Sequence, residues 1–140
     1  MADRVSLSGP LVPLLQVFDM PKACAFYTGA LGFAVREASP VVETAEGRFN
    51  HWMWLKRDSV ELMLNTAHDS NERPAMADAA RWAGHGDVCL YFGCDDLDTL
   101  HAELVAHGVS VDPPRATPHG IREMPFRDPD GYLLCAQAPL

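Results

Sequence analysis

Two tryptophans and one glutamate in residues 50–65 have the spacing to form a single binding surface. This segment alternates in side-chain character, which predicts two β-strands joined as a hairpin through residues 56–59. A turn of that length pairs Trp54 with Glu61. One face then carries Trp52, Trp54, Glu61 and Met63, and the other carries Met53, Leu55, Val60, Leu62 and Leu64. The aliphatic face suits packing against helices, whereas indoles beside a carboxylate predict a surface that binds a flat or cationic small molecule.

Two further strands supply polar side chains to such a surface. Gln16 follows Leu14 by two residues and therefore faces the same side of the first predicted strand, and Tyr91 stands in the same relation to Cys89. Each candidate also has a purely structural interpretation. Glu61 and Gln16 would then only satisfy local hydrogen bonds, the tryptophans would fill space, and Tyr91 would be an ordinary aromatic residue in a sheet.

The chain lacks the motifs of several common enzyme classes. It contains no G-x-S-x-G, H-E-x-x-H, P-loop or G-x-G-x-x-G sequence, which argues against the commonest hydrolases, proteases and nucleotide-binding proteins. No spacing that indicates metal ligation or a catalytic triad is found for His51, His68, His85, His101 and His107.

Composition predicts one compact domain that needs no disulfide staples. The 140 residues are 48% hydrophobic and 21% charged. No export signal or membrane-length apolar run is present, so we expect a cytoplasmic protein that does not enter a membrane and whose four cysteines are reduced thiols. A formal charge of −8 argues against nucleic acid as a partner and favours cationic small molecules.

An internal repeat indicates where the secondary structure lies. An apolar run ends at Asp19 and a glycine, Gly32, follows thirteen residues later; Asp95 and Gly108 repeat the same spacing after the run at residues 90–94. Asp suits the N-cap of a helix and Gly suits its left-handed C-cap. Both halves therefore predict a strand, a helix and a return strand.

The remaining segments complete the predicted order. Residues 67–86 form a linker with one short helical turn, and a proline-rich loop at residues 112–119 precedes a strand at residues 121–126. Arg127-Asp128-Pro129-Asp130-Gly131 then dictates a turn that leads into a final apolar strand ending near Cys135.

These features together resemble the vicinal oxygen chelate superfamily, which includes glyoxalase I, extradiol dioxygenases and bleomycin-resistance proteins. The resemblance rests on the repeated Asp-to-Gly units, the strand at Val60-Glu61-Leu62, the segment His119-Gly120-Ile121-Arg122-Glu123 and the closing D-P-D-G-Y turn. It implies an α+β fold of two βαβββ modules, each a curved mixed sheet that forms a cup. One domain, residues 1–140, would hold module 1 at about 10–66, the linker and module 2 at about 87–138.

The resemblance also raises the question of a metal. In metal-dependent relatives four positions supply histidine or glutamate ligands, and the matching residues here are Val12, Glu61, Cys89 and Cys135. Valine cannot bind a metal, so the prediction is that this chain uses no metal and no cofactor. The alternative is a zinc ion held by the two thiols and Glu61 with one open position.

The expected function is metal-independent binding of a small organic molecule, similar to drug sequestration by bleomycin-resistance proteins. The expected ligand contacts are Gln16, Trp52, Trp54, Glu61, Met63, Cys89, Tyr91, His119, Arg122 and Cys135. One alternative is a metal-dependent lyase, isomerase or dioxygenase of the glyoxalase type. Another is a metal-free enzyme that uses Glu61 or His119 as a general base. Relatives also imply a homodimer in which Val12 and Glu61 of one subunit face Cys89 and Cys135 of the other.

Overall fold

The structure is a computed structural model that describes residues 3–140. In order, its elements are β1 (Leu14–Val17), α1 (Met20–Cys24), β2 (Ala34–Ala38), β3 (Val41–Thr44), β4 (Gly47–Asn50), β5 (Trp52–Arg57), β6 (Val60–Thr66), α2 (Ala79–Gly84), β7 (Cys89–Gly93), α3 (Leu97–Ala106), β8 (Arg115–Ala116), β9 (Ile121–Arg127) and β10 (Leu133–Pro139). A π-helical segment, Ala25–Ala30, continues α1, and a 3-10 turn, His85–Asp87, follows α2.

The two halves form sheets of the same topology. The strand orders are β1-β6-β5-β2 and β7-β10-β9-β8, so in each sheet the first strand lies beside the last. That pairing is parallel in both sheets, and the other pairings are antiparallel. The predicted α+β fold of two βαβββ modules with curved mixed sheets is confirmed, with the small β3-β4 hairpin inserted in the first module.

The helix caps follow the sequence pattern closely. Asp19 caps α1 by accepting a hydrogen bond from the Lys22 backbone, and Gly32 and Gly108 adopt positive φ angles of 69° and 78°. The N-cap of α3 is Asp96, which accepts from the Thr99 backbone, and not the predicted Asp95. Asp95 and Asp96 both fit the sequence pattern of a helix N-cap. Because α3 begins at Leu97, Asp96 is the residue directly before the helix and becomes its cap.

The central hairpin has a shorter turn than predicted. Trp54 lies opposite Met63 and not opposite Glu61, because β5 continues to Arg57 and the chain turns through two residues. Asp58 has a φ of 51°, a left-handed conformation that two-residue hairpin turns require and that Asp tolerates. The shift is two residues, so every side chain stays on its predicted face.

The hydrophobic core lies between the helices and one face of each sheet. Buried residues from the two sheets are Leu15, Val17, Met53, Leu55, Leu62, Leu64, Met124, Phe126, Leu134 and Ala136. The modules are joined through the closing turn, where Tyr27 of the first module donates a 2.6 Å hydrogen bond to Asp128 of the second. No helix in residues 3–140 has both the length and the apolar character needed to cross a membrane.

Candidate functional site

The face of the first sheet that points away from the helices carries the predicted aromatic and acidic residues. We call this face the first cup; it carries Gln16, Trp52, Trp54, Glu61, Met63 and Asn65. Alternation explains it, since the intervening residues of β5 and β6 are buried in the core. These residues are half-buried, and the side chain of Glu61 is only 7% exposed.

An arginine that the sequence analysis missed completes the first cup. Arg36 Nη1 lies 2.8 Å from Glu61 Oε1, and the guanidinium carbon lies 4.3 Å from the centre of the Trp54 ring. The carboxylate of Glu61 is therefore paired, which satisfies a group that would be costly to bury alone. The positive charge of Arg36 occupies the Trp54 face on which a cationic ligand was expected to stack.

A β-bulge places Arg36 in this position. Val35 lies opposite Leu55 and Glu37 lies opposite Trp54, so Arg36 is an extra residue between two paired positions. A bulge of this kind redirects a side chain that strict alternation would send elsewhere. No alternating pattern in residues 34–38 signals the bulge, which is why the sequence did not reveal Arg36.

Hydrogen-bonding groups remain available around the tryptophans. Trp54 Nε1 is buried and has no hydrogen-bond partner among the described residues. Asn65 Nδ2 donates to Gln16 Oε1 at 3.3 Å, so the two amides lie together at the floor of the cup. An unpaired buried N–H costs roughly 1 to 3 kcal/mol. A ligand with an acceptor oxygen would relieve this cost on reaching the indole.

The second sheet has an equivalent face, the second cup, with a different chemistry. Cys89, Tyr91, Cys135 and Glu123 share it by their register on β7, β10 and β9. Tyr91 donates to Glu123 Oε2 at 3.4 Å, and Cys135 Sγ lies 3.9 Å from the same oxygen. Burial raises the pKa of the Cys89 and Cys135 thiols, with Glu123 adding to the shift, so both favour the neutral form.

Glu123, and not Arg122, faces the second cup from β9. Arg122 lies on the other side of the sheet, where its guanidinium contacts the Asp98 carboxylate of α3 at 3.1 and 3.2 Å. The expectation that Arg122 orients a ligand in the cup therefore does not match its position. Met124 and Phe126 are buried in the core, and counting back from them in steps of two assigns Arg122 to their face.

His119 is exposed in the turn before β9. Its backbone N–H lies 3.3 Å from the Thr117 hydroxyl oxygen, and its ring makes no hydrogen bond within residues 3–140. His119 is thus at the rim of the second module and outside both cups.

A cavity of about 440 Å³ lies where the modules meet. Glu61 and Cys89, one from each module, both line it, together with apolar residues that include Leu11, Tyr27, Phe33 and Leu134. Trp52 and Trp54 do not line it, and core residues such as Leu62 do. The cavity therefore meets the first cup only at Glu61 and the second cup at Cys89 and Tyr91. Its volume lies within the common range for small-molecule pockets.

The residues at the four expected ligand positions do not fit a metal ion. Val12 has no donor atom, and the pKa shifts of Cys89 and Cys135 favour protonated thiols. Glu61 is already paired with Arg36. Within residues 3–140, no three His, Cys, Asp or Glu side chains lie close enough together to hold a metal. No reaction step through a metal follows from this site.

Fold and sequence together define the class. The chain matches the family model of the Glyoxalase/Bleomycin resistance protein/Dioxygenase superfamily over residues 9–136, and it belongs to that family. A comparison with curated proteins finds no match.

Solved structures agree with this assignment. A glyoxalase/bleomycin resistance protein from Streptomyces sp. CB03234 is 29% identical, with 91% of this chain and 97% of that chain covered and a TM-score of 0.60. TnmS3, an antibiotic binding protein from the same organism, is 28% identical, with 96% and 100% covered and a TM-score of 0.63. A glyoxylase/bleomycin resistance protein/dioxygenase domain from Frankia sp. EAN1pec shares the fold, at 22% identity, coverage of 96% and 94%, and a TM-score of 0.72.

Proposed function

We propose that this protein binds a small planar organic molecule in the first cup, without a metal ion. The observation that carries the proposal is the cluster of Trp52, Trp54 and the nearly buried Glu61 carboxylate on the sheet face opposite the core. Aromatic platforms with a few polar groups are what such ligands require. The similarity to TnmS3, an antibiotic binding protein, supports an antibiotic or a related metabolite as the natural ligand.

Arg36 gives the proposed site a defined charge preference. Its guanidinium covers Trp54 and neutralises Glu61, so a cationic ligand must displace it from both groups. A neutral planar ligand competes only for the indole face. Once Arg36 moves, a ligand oxygen gains access to Trp54 Nε1. We therefore expect neutral aromatic ligands with acceptor oxygens to bind better than cations, contrary to the preference that net charge alone suggested.

The rival functions receive no support from a specific contact. A metal-dependent lyase, isomerase or dioxygenase requires a ligand set that these residues, within the described part of the chain, do not form. General-base catalysis requires a base aimed at substrate. Glu61 Oε1 is committed to Arg36, and His119 lies in an exposed turn.

We also propose that the protein acts as a cytoplasmic homodimer that binds neither nucleic acid nor membranes. One edge strand of each sheet carries exposed apolar side chains, such as Leu14 on β1 and Tyr91 on β7. A second copy that covers these edges would complete the walls of the cups.

Fluorescence titration tests the binding site with a matched pair of probes. Acridine is neutral and 9-aminoacridine is cationic at pH 7.5, and both are planar. We expect saturable quenching by both, and a loss of about tenfold in affinity for Trp52→Phe or Trp54→Phe. Arg36→Gln should strengthen binding of the cation more than that of the neutral probe, because it frees Glu61 as well as the indole face. Glu61→Gln should weaken it.

The controls distinguish binding in the first cup from binding at another place on the protein. Trp82 lies outside the first cup, so Trp82→Phe should leave the affinities unchanged. Dialysis against a chelator should leave them unchanged as well. Quenching that only Trp82→Phe removes would place the ligand elsewhere, and binding that is lost on chelation and restored by a divalent ion would overturn metal independence.

A further inference from the structure

A second cavity, of about 270 Å³, lies away from both cups, beside the segment that links the modules. Its lining residues are Phe18, Asp19, Lys22, Ala67, His68, Pro74, Ala77, Asp78, Arg81, Trp82, His85, Pro129 and Asp130. One wall is the end of β1 with the closing turn, and the other is the linking segment. The D-P-D-G turn, which identified the fold, thus also forms part of this cavity, whereas the proposed binding in the first cup does not use it.

The linking segment crosses the cavity as a strap attached at both ends. At one end the Glu46 carboxylate accepts hydrogen bonds from the backbone of Asn71 and Arg73. At the other end His85 stacks on Tyr132 with ring centres 3.9 Å apart. Between these points residues 74–81 are exposed. The Asp78 side chain bonds only locally, accepting from the Ala80 backbone at 2.9 Å. The strap can therefore adjust to a ligand without disrupting the core.

Aromatic and apolar surface dominates the interior. Arg127 covers one face of Trp82, with its guanidinium carbon 4.6 Å from the ring centre, and the residue is 43% exposed. Phe18 also lines the cavity; Arg73 covers one face of its ring, with the guanidinium carbon 4.8 Å from the ring centre, and His68 makes an edge contact with it. The cavity has room for one small ring, since its volume is near the lower limit for ligand pockets.

The charged side chains that line the cavity differ in whether they already have hydrogen-bond partners. Each of the three carboxylates is already engaged by a backbone N–H: Asp19 by Lys22 at 3.1 Å, Asp78 by Ala80 at 2.9 Å and Asp130 by Phe18 at 2.8 Å. By contrast, the side chains of Lys22 and Arg81 form no ion pair or hydrogen bond within residues 3–140. Both charges oppose the rise that burial causes in the pKa of Asp130, but the N–H donors of Lys22 and Arg81 are unused, and a ligand carboxylate can accept from both.

We propose that this cavity binds a small aromatic carboxylic acid. The ring contacts Phe18 and Trp82, and the carboxylate is bound by Lys22 and Arg81 at the rim. Arg81 belongs to the strap, so the ligand also fixes the strap over the cavity. This site is independent of the first cup and stands whether or not the cup binds an antibiotic.

Phenylacetate and its uncharged amide, phenylacetamide, test the proposal. Neither absorbs at 295 nm, so tryptophan emission can be followed directly while calorimetry gives the affinity. We expect a saturable change in emission with phenylacetate, and binding at least about tenfold weaker for phenylacetamide, because the amide lacks the charge-assisted contacts. The emission change should be absent in Trp82→Phe.

Charge variants identify the site. The double variant Lys22→Gln/Arg81→Gln alters two exposed side chains and should fold normally, yet lose about tenfold or more in affinity for phenylacetate. Lys56→Gln removes an equally exposed lysine from β5 and should have no effect. Equal binding of acid and amide, unchanged binding in the double variant, or no binding of phenylacetate at millimolar concentration would each overturn the proposal.

Discussion

Asp128 is the most deeply buried acidic residue among those the structure describes, and it joins the two modules. One carboxylate oxygen accepts from Tyr27, and the other accepts from the backbone N–H groups of Asp130 and Tyr132. Burial raises the pKa of Asp128 to about 6, although these hydrogen bonds act in the opposite direction. The contact between the two modules therefore involves a carboxyl group whose neutral form is favoured by burial. The pKa of its partner Tyr27 is raised as well.

This arrangement predicts a pH dependence of stability. The pKa of Asp128 is higher in the folded protein than in the unfolded chain, so the folded protein binds more protons between about pH 4 and pH 6. The stabilisation is complete below that window and is lost as the pH rises through about 6, at a cost on the order of 3 kcal/mol. Urea unfolding at several pH values should show this fall, and Asp128→Asn should flatten most of it.

Two other carboxyl groups serve as comparisons for this prediction. Asp130 also has a pKa raised by burial, so a smaller residual fall should persist in Asp128→Asn. Asp98 has a pKa lowered by Arg122, and Asp98→Asn should leave the fall intact. An Asp128→Asn variant whose stability falls with pH as steeply as that of the parent would show that folding does not raise the pKa of Asp128.

At the scale of elements, the strap and the closing turn fit together through Gly131. This glycine has a φ of 84°, and a Cβ atom there would overlap the Trp82 carbonyl oxygen. The close approach allows Arg127 to donate to the Gly131 carbonyl at 2.8 Å and to cover the Trp82 ring. The turn that begins the last strand thus also holds the strap in place.

Alanine substitution separates backbone strain from this contact. Gly120 has a similar φ of 77°, but a Cβ atom there would meet no other atom within 4 Å, so Gly120→Ala should cost only about 1 to 2 kcal/mol of unfolding free energy. Gly131→Ala carries the same strain plus the clash and should cost at least roughly 3 kcal/mol. Chemical denaturation measures both. Equal costs for the two variants would mean that the strap moves away from the turn without penalty.

Regular elements were predictable from the sequence, and irregular ones were not. Alternation placed Trp54 and Glu61 on the same face correctly although the predicted pairing was wrong by two residues. Successive side chains of a strand point to opposite faces, so an error of an even number of residues leaves every side chain on its face. The sequence did not predict the length of the turn between β5 and β6. A two-residue turn depends on the left-handed conformation of Asp58, which the residue type alone does not require. Arg36 escaped because a bulge breaks the alternation on which the prediction depends.

At the scale of the whole molecule, the edge strands β1 and β7 carry exposed apolar side chains. On β1, Leu14 is 46% exposed, and on β7, Tyr91 is 55% exposed; Val88 precedes β7 and is exposed as well. Both strands are short, but neither carries the charged side chains that protect an edge from pairing. These edges border the two cups, so a partner that covered them would also enclose the ligand space.

We therefore predict a two-fold dimer whose formation and ligand binding are linked. Light scattering at micromolar concentration should give close to twice the 15.4 kDa chain mass. Leu14→Asp places a charge on the β1 edge and should yield monomers, but Leu14 also lies opposite Met63 in the first cup, so its readout is the mass. Diluting the parent protein until the dimer dissociates should abolish acridine binding. Val105 is 51% exposed on α3, away from both edges, so Val105→Asp is the matched control and should remain dimeric. A monomeric parent protein that binds acridine with full affinity would show instead that the two modules of one chain enclose the ligand by themselves.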